Sequence, residues 1–181
     1  MHYDIAIIGY GPVGAMAAHM FGSSGLNIVV IEPKKEIWNI PRAVALDGQA
    51  QRIFQSCGIS NNIPVKPIDG LTFINKKGQQ IVYVDFTDHS TPNGYSETVG
   101  FSQPNLERTL REQAESYKNI TFKLGSSLSN LVATENNNEL TVMNNVTNET
   151  EVISSKYLLA CDGADSFVRK KLSIPSFDYK C

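Results

Sequence analysis

The sequence lacks a basic excess, a long apolar run and a secretory signal, and each absence excludes a class of protein. Sixteen Lys and Arg residues stand against 18 Asp and Glu residues, for a net charge of −2, so nothing predicts a nucleic-acid-binding surface. No apolar stretch approaches the roughly 18 residues of a membrane-spanning helix. The N-terminus has no basic segment followed by an apolar one. With 181 residues, we expect one domain, or one domain and part of another.

Cysteine is also scarce. The three cysteines, Cys57, Cys161 and Cys181, are odd in number and form no C-x-x-C pair. This pattern predicts reduced thiols in a cytoplasmic protein, and it predicts no metal site. The isolated His19 and His89 receive no catalytic role, because lone residues of this type more often pack or face solvent.

What the sequence does contain is a glycine-rich segment, GYGPVG at residues 9–14, between a strand pattern and a helical pattern. Gly9 permits a tight turn, Gly11 lets a pyrophosphate approach the backbone, and Gly14 lets the helix pack closely on the strand. Pro12 and Val13 complete the loop. The helix N-terminus offers free N–H groups and a partial positive charge to a phosphate. The segment therefore predicts a dinucleotide site.

A second apolar strand, over residues 27–31, leads to Glu32. A carboxylate at this position accepts hydrogen bonds from ribose hydroxyls and repels a 2′-phosphate. The alternative is a glycine-rich turn that holds no ligand, but the strand, the helix and the acid all fall where a ligand needs them. The strand–helix–strand unit alone does not distinguish FAD from NAD.

The rest of the chain alternates between two patterns. Residues 1–63 and 103–181 predict a parallel α/β layer with a small antiparallel meander, and residues 64–102 predict an antiparallel excursion. A separate buried strand is expected at residues 157–161, and Asp47 is the expected N-cap of a second helix.

Apolar spacing also predicts which face of each helix is buried. In the third helix, Glu107 and Arg111 are spaced to interact at i, i+4. The expected buried positions are Val13, Ala17, Met20 and Phe21 in the first helix, Ala50, Ile53, Phe54 and Cys57 in the second, and Leu106, Leu110, Ala114 and Tyr117 in the third.

Three further stretches make the chain resemble a known family. PRAVALDGQAQRIFQSCGI (residues 41–59), QPNLERTLREQA (residues 103–114) and LLACDGADSFVRKKL (residues 158–172) resemble segments of the FAD-dependent aromatic hydroxylases. These are the single-component flavoprotein monooxygenases typified by para-hydroxybenzoate hydroxylase, among them the 3-(3-hydroxyphenyl)propionate hydroxylases. The third stretch matches the family's D-G-x-x-S-x-x-R fingerprint, which plain NAD dehydrogenases lack.

The resemblance implies roles for four more residues. Arg42 would lie near the phosphate and ribityl portion of the flavin, and Gln103 would contact the flavin. Asp162 and Gly163 would serve both the flavin and the nicotinamide cofactor. Each residue also has a plainer interpretation: Arg42 as a surface arginine, Gln103 as a helix cap, and Asp162 with Gly163 as a strand-ending turn.

The same resemblance implies the fold and the chemistry. Residues 1–63 and 103–181 would form a Rossmann-like FAD-binding domain, and residues 64–102 part of an incomplete substrate domain. FAD would be the cofactor, NADH or NADPH the co-substrate, and a phenolic or similar aromatic compound the small-molecule substrate. Alternatives are another flavin oxidoreductase, such as a halogenase or reductase, and a non-catalytic nucleotide-binding fragment.

The family's third motif, built around Gly-Asp, and the strands that complete its substrate pocket lie further along than this sequence reaches. We therefore expect the N-terminal part of a hydroxylase that is inactive by itself, and no catalytic residue is assigned. Nucleic-acid and membrane partners are not expected, and a homo-oligomer is left open.

Overall fold

The computed structural model describes residues 1–87 and 91–177, so His89 and Cys181 lie outside the described residues. The helices are Pro12–Gly22 (α1), Gly48–Ser56 (α2), Gln103–Glu115 (α3) and Phe167–Lys171 (α4). The strands are His2–Ile8 (β1), Ile28–Glu32 (β2), Ala45–Asp47 (β3), Val65–Pro67 (β4), Gly70–Ile74 (β5), Gln80–Asp85 (β6), Thr98–Phe101 (β7), Ile120–Leu124 (β8), Ser126–Ala133 (β9), Asn138–Asn144 (β10) and Thr150–Ala160 (β11).

The chain divides into two compact units. The first unit contains Met1–Ile37 and the chain from Leu110 onward, and the second contains Trp38–Thr109. Within the described ranges, no helix has both the length and the apolar character needed to cross a membrane.

A six-stranded sheet with the order β8-β2-β1-β11-β10-β9 forms the centre of the first unit. The strands β8, β2, β1 and β11 are parallel, and β10 and β9 continue the sheet as an antiparallel meander. Strand β1 is central, and Ala6 and Ile7 on its two faces are fully buried, as expected for a parallel strand covered on both sides. The predicted α/β fold with a parallel sheet and a meander is confirmed.

Strand β11 corrects one prediction. The expected separate strand at residues 157–161 is the second half of a single long strand, Thr150–Ala160. Its first half pairs antiparallel with β10, and from Ser154 onward it pairs parallel with β1. Tyr157 is 59% exposed, so the second half of β11 is only partly buried. One strand can join both kinds of sheet because each of its edges has its own set of hydrogen-bonding groups.

Helix α1 turns a different face inward from the predicted one. Val13 and Met20 are exposed, and a Cβ added at Gly22 would overlap the ring of Tyr117. Small side chains therefore let the helix approach its neighbours, and closeness of approach decides which face is buried. The buried positions are Gly14, Ala15, Ala18, His19 and Gly22.

Helices α2 and α3 fit their predictions better. The Asp47 carboxylate accepts the Ala50 N–H at 2.8 Å, which confirms the N-cap of α2. Phe54 is buried in α2 as predicted, whereas Ile53 is exposed, so that face is only partly right. In α3 the predicted positions Leu106, Leu110 and Ala114 are all buried.

Antiparallel pairing dominates the second unit, as predicted. Strands β5 and β6 form a hairpin, and β7 pairs with β3 on one side and β4 on the other. Residues 38–63 belong to the same compact unit as residues 64–102, and the pairing of β3 with β7 connects the two stretches. The assignment of residues 1–63 and 103–181 to one functional domain stays a prediction.

Candidate dinucleotide-binding site

Two glycines of the loop at residues 9–14 are required by the protein's own packing. Gly9 has a φ of +97°, in the left-handed region that favours glycine, and a Cβ there would overlap the Cys161 carbonyl. A Cβ at Gly14 would overlap the Gly9 carbonyl. The predicted close packing of helix on strand is therefore visible at Gly14.

Gly11 differs, because among the described residues, its two chain neighbours apart, no atom lies within 4 Å of where its Cβ would be. Gly11 is the N-cap residue of α1, and Pro12 is its first helical residue. No side chain in residues 1–87 or 91–177 caps this helix end. The first N–H groups of a helix have no partner within the helix. The open space beside Gly11 and the uncapped helix N-terminus therefore suit a pyrophosphate.

Glu32 ends β2 and connects two stretches of backbone. Its Oε2 atom accepts the Tyr10 N–H at 2.7 Å, and its Oε1 atom accepts the Lys34 N–H at 2.9 Å. Each carboxylate oxygen can accept a further hydrogen bond. Glu32 therefore braces the glycine-rich loop while keeping capacity for a ribose hydroxyl.

The aspartate–glycine segment, residues 162–169, is held by its own side chains. The Asp162 carboxylate accepts the Ser166 hydroxyl at 2.6 Å and the Val168 N–H at 3.1 Å. Ser166 Oγ in turn accepts the Arg169 N–H at 3.0 Å and caps α4. Gly163 has a φ of +83°. The matched fingerprint residues therefore shape this turn, and the Asp162 carboxylate is directed to the start of α4.

Backbone hydrogen bonds bring the two segments to the same edge of the sheet. The Cys161 N–H donates to the Ile8 carbonyl at 2.7 Å, and the Gly9 N–H donates to the Ile31 carbonyl at 2.8 Å. The carboxyl ends of β11, β1 and β2 therefore adjoin, and ligands of open α/β sheets bind at this edge. The predicted residues gathered here are Gly9, Gly11, Pro12, Val13, Gly14, Glu32, Asp162 and Gly163.

Arg42 and Gln103 meet each other in the second unit. Gln103 is buried, and its Oε1 atom accepts the N–H groups of Arg42 at 2.7 Å and Ala43 at 2.9 Å. Its Nε2 atom donates to Glu107 at 2.9 Å. The Arg42 guanidinium lies 5.8 Å from the ring centroid of Trp38. Gln103 thus links the start of α3 to residues 42–43.

Cys161 lies between the glycine-rich loop and the aspartate–glycine segment, and its thiol is not activated as a nucleophile. Burial, and then the negative charge of Asp162, raises the pKa of its thiol, so the neutral form prevails near pH 7. Across residues 1–87 and 91–177, no three His, Cys, Asp or Glu residues gather in a group that could hold a metal ion.

Sequence reasoning missed the contact between Tyr10 and Arg111. The i, i+4 spacing predicted that Arg111 pairs with Glu107, but Arg111 is buried and donates to the Tyr10 carbonyl at 2.7 Å. The two residues are 101 positions apart. No local pattern joins residues at that separation.

A parallel sheet, a glycine-rich strand–helix turn and an acid at the end of the adjoining strand define a dinucleotide-binding domain of the Rossmann type. The chain belongs to the FAD binding domain family, which matches residues 2–180. The prediction of FAD as the cofactor is thereby confirmed.

Individual relatives agree with this family. A 3-(3-hydroxy-phenyl)propionate/3-hydroxycinnamic acid hydroxylase of Escherichia coli O8 (strain IAI1) is 29% identical over 175 residues, which cover 95% of this chain and 31% of the relative. The same hydroxylase of Shigella sonnei (strain Ss046) is also 29% identical, with the same coverage. The chain thus spans about a third of the length of these relatives.

Solved structures show the same fold. The p-nitrophenol 4-monooxygenase PnpA of Pseudomonas putida DLL-E4 has a TM-score of 0.86 at 20% identity, covering 98% of this chain and 45% of that one. The flavin-dependent monooxygenase PieE, solved with FAD and substrate, has a TM-score of 0.84 at 21% identity, covering 97% of this chain and 32% of that one. The predicted resemblance to flavoprotein monooxygenases is confirmed.

Proposed function

We propose that the chain binds FAD at the carboxyl edge of β1, β2 and β11 and forms the FAD-binding part of an NAD(P)H-dependent monooxygenase of phenolic or similar aromatic compounds. The main observation in support of this binding site is the open space beside Gly11 at the N-terminus of α1, with Glu32 at the end of the adjoining strand. The aromatic substrate class rests on the hydroxylases to which the chain is similar.

Each residue of this edge receives a separate task. The backbone at Gly11 and the first turn of α1 would hold the pyrophosphate, because N–H groups and the helix dipole both favour an anion. Glu32 would accept the hydroxyls of the adenosine ribose. Asp162 holds its turn in place, so the backbone at Gly163 would face the cofactor while the carboxylate stays bonded to α4.

Arg42 and Gln103 remain predicted contacts to the middle portion of the flavin. When bound, the flavin would take a hydride from NAD(P)H and activate O₂ for transfer of one oxygen atom to an aromatic ring. The protein's share of this chemistry is to bind, orient and exclude water. We expect a cytoplasmic protein, in which Cys57 and Cys161 stay reduced.

Calorimetric titration of the purified chain with FAD and with NAD tests the proposal. We expect FAD to bind with the lower dissociation constant and the protein–FAD complex to show a perturbed flavin absorbance spectrum. Equal or tighter binding of NAD would contradict the assignment. Failure to bind either dinucleotide would support the alternative of a fragment without a cofactor.

A further inference from the structure

Tyr10 lies between the first two glycines of the loop, in the first unit. Its N–H, its carbonyl and its ring each contact another residue. Its N–H donates to Glu32 Oε2 at 2.7 Å, and its carbonyl accepts from Arg111 Nη2 at 2.7 Å. The Arg111 guanidinium carbon lies 4.5 Å from the Tyr10 ring centroid, and the ring of Phe122 lies 5.3 Å away on centroids. The peptide groups on both sides of Tyr10 are therefore anchored.

Arg111 is an unusual residue for this task because it is buried and permanently charged. Only 7% of its surface is exposed, and Tyr10 is fully buried. Among the described residues, Arg111 Nε and Tyr10 Oη have no hydrogen-bond partner. A buried cation carries a desolvation cost, and a nearby anion offsets that cost.

We propose that Arg111 is a positioning residue for the glycine-rich loop. Through the Tyr10 carbonyl it holds the loop in the conformation that leaves Gly11 open, and its buried positive charge strengthens the binding of a diphosphate at α1. The inference rests on the proposed binding of FAD at this loop. The competing account is that Arg111 only fills space in the core.

Three variants separate these accounts: Arg111→Met, which removes the charge and the donors; Arg111→Lys, which keeps the charge but not the planar guanidinium; and Arg108→Met as a control. Arg108 lies on the same helix, is exposed and donates to the neighbouring Asn105 side chain at 2.8 Å. FAD dissociation constants are measured well below the unfolding midpoint of every variant. Amide resonances of Gly9, Gly11 and Gly14 are recorded on ¹⁵N-labelled protein without FAD.

We expect Arg111→Met to raise the FAD dissociation constant at least about tenfold and to shift the Gly11 resonance. Arg111→Lys should shift the same resonance with a smaller loss of affinity, and Arg108→Met should change neither. If Arg111→Met lowers only the unfolding midpoint, the core-packing account holds and the inference is wrong. If Arg111→Met does not fold, unchanged glycine resonances in Arg111→Lys overturn it.

The proposed function fails separately, if the wild-type chain does not bind FAD or binds NAD at least as tightly. In that case the glycine resonances of the cofactor-free variants still decide whether Arg111 positions the loop.

Discussion

The glycine-rich loop at residues 9–14 and the aspartate–glycine segment at residues 162–169 lie at adjoining strand ends, yet they are held in opposite ways. The backbone of the loop is held by residues from elsewhere in the chain, Glu32 and Arg111. The second segment is held by its own Asp162 and Ser166. The difference indicates that the loop is shaped to leave room for a ligand, whereas the second segment supports itself.

The largest effect is expected from Gly14→Ala. The new Cβ would overlap the Gly9 carbonyl, and backbone atoms cannot move aside as a flexible side chain does. We expect the free energy of unfolding to fall by about 3 kcal/mol, with loss of FAD binding. Urea denaturation and FAD titration measure both quantities. A variant as stable as the wild type would show that α1 does not pack on the loop as described.

Glu32→Ala removes the acceptor of the Tyr10 and Lys34 N–H groups together with the proposed partner of the ribose. A hydrogen bond to a charged group contributes about 1.5–3 kcal/mol. We therefore expect FAD affinity to fall roughly ten- to a hundredfold. The exposed Glu36 supplies the control, Glu36→Ala. An unchanged dissociation constant in a folded Glu32 variant would remove this residue from the site.

Ser166→Ala tests whether the second segment is mainly self-supporting. The substitution removes the cap of α4 and one partner of Asp162, and a lost N-cap costs about 0.5–2 kcal/mol. We expect a fall of ~1 kcal/mol in the free energy of unfolding, with FAD affinity changed by less than about tenfold. Ser129→Ala, at an exposed strand position, is the control. If Ser166→Ala abolished FAD binding and left the free energy of unfolding unchanged, the second segment would serve the cofactor instead of supporting itself.

Tyr10→Phe is expected to have the smallest effect at neutral pH. Burial raises the pKa of the Tyr10 phenol, Glu115 raises it further, and Arg111 lowers it. Above the ordinary pKa of 10.0, the unfolded chain releases this proton while the folded chain retains it. The free energy of unfolding therefore falls as the pH rises through that value.

The phenylalanine variant lacks this titration, so its stability should fall less between about pH 9 and pH 11. Urea unfolding of both proteins across that range measures the difference. Parallel pH profiles would show that the phenol ionises as freely in the folded chain as in the unfolded one.

Much of the fold followed from local patterns. The strand–helix–strand unit, the meander and the Asp47 cap each rest on residues close together in the sequence, and all are present. The buried face of α1 did not follow, because it is chosen by small residues such as Gly22 that permit close packing, and hydrophobic spacing gives those residues little weight.

The candidate site, like the fold, could be predicted only in part. The glycine spacing predicted the loop, since each glycine's role follows from its missing Cβ. The position of Glu32 at the end of the next strand predicted its place beside that loop. The contacts of Arg111 with Tyr10 and of Gln103 with residues 42–43 join positions far apart in the chain. Such contacts depend on tertiary packing, which no single window of sequence contains.

If the space beside Gly11 belongs to the cofactor, Gly11→Ala should weaken FAD binding and leave the fold intact. Its φ of −72° is ordinary for alanine, and in the described part of the chain only its own chain neighbours come within 4 Å of the new Cβ. The unfolding midpoint should therefore stay at the wild-type value while the FAD dissociation constant rises at least about tenfold. An unchanged dissociation constant in this variant would show that the pyrophosphate lies elsewhere and that the space beside Gly11 is not the cofactor's.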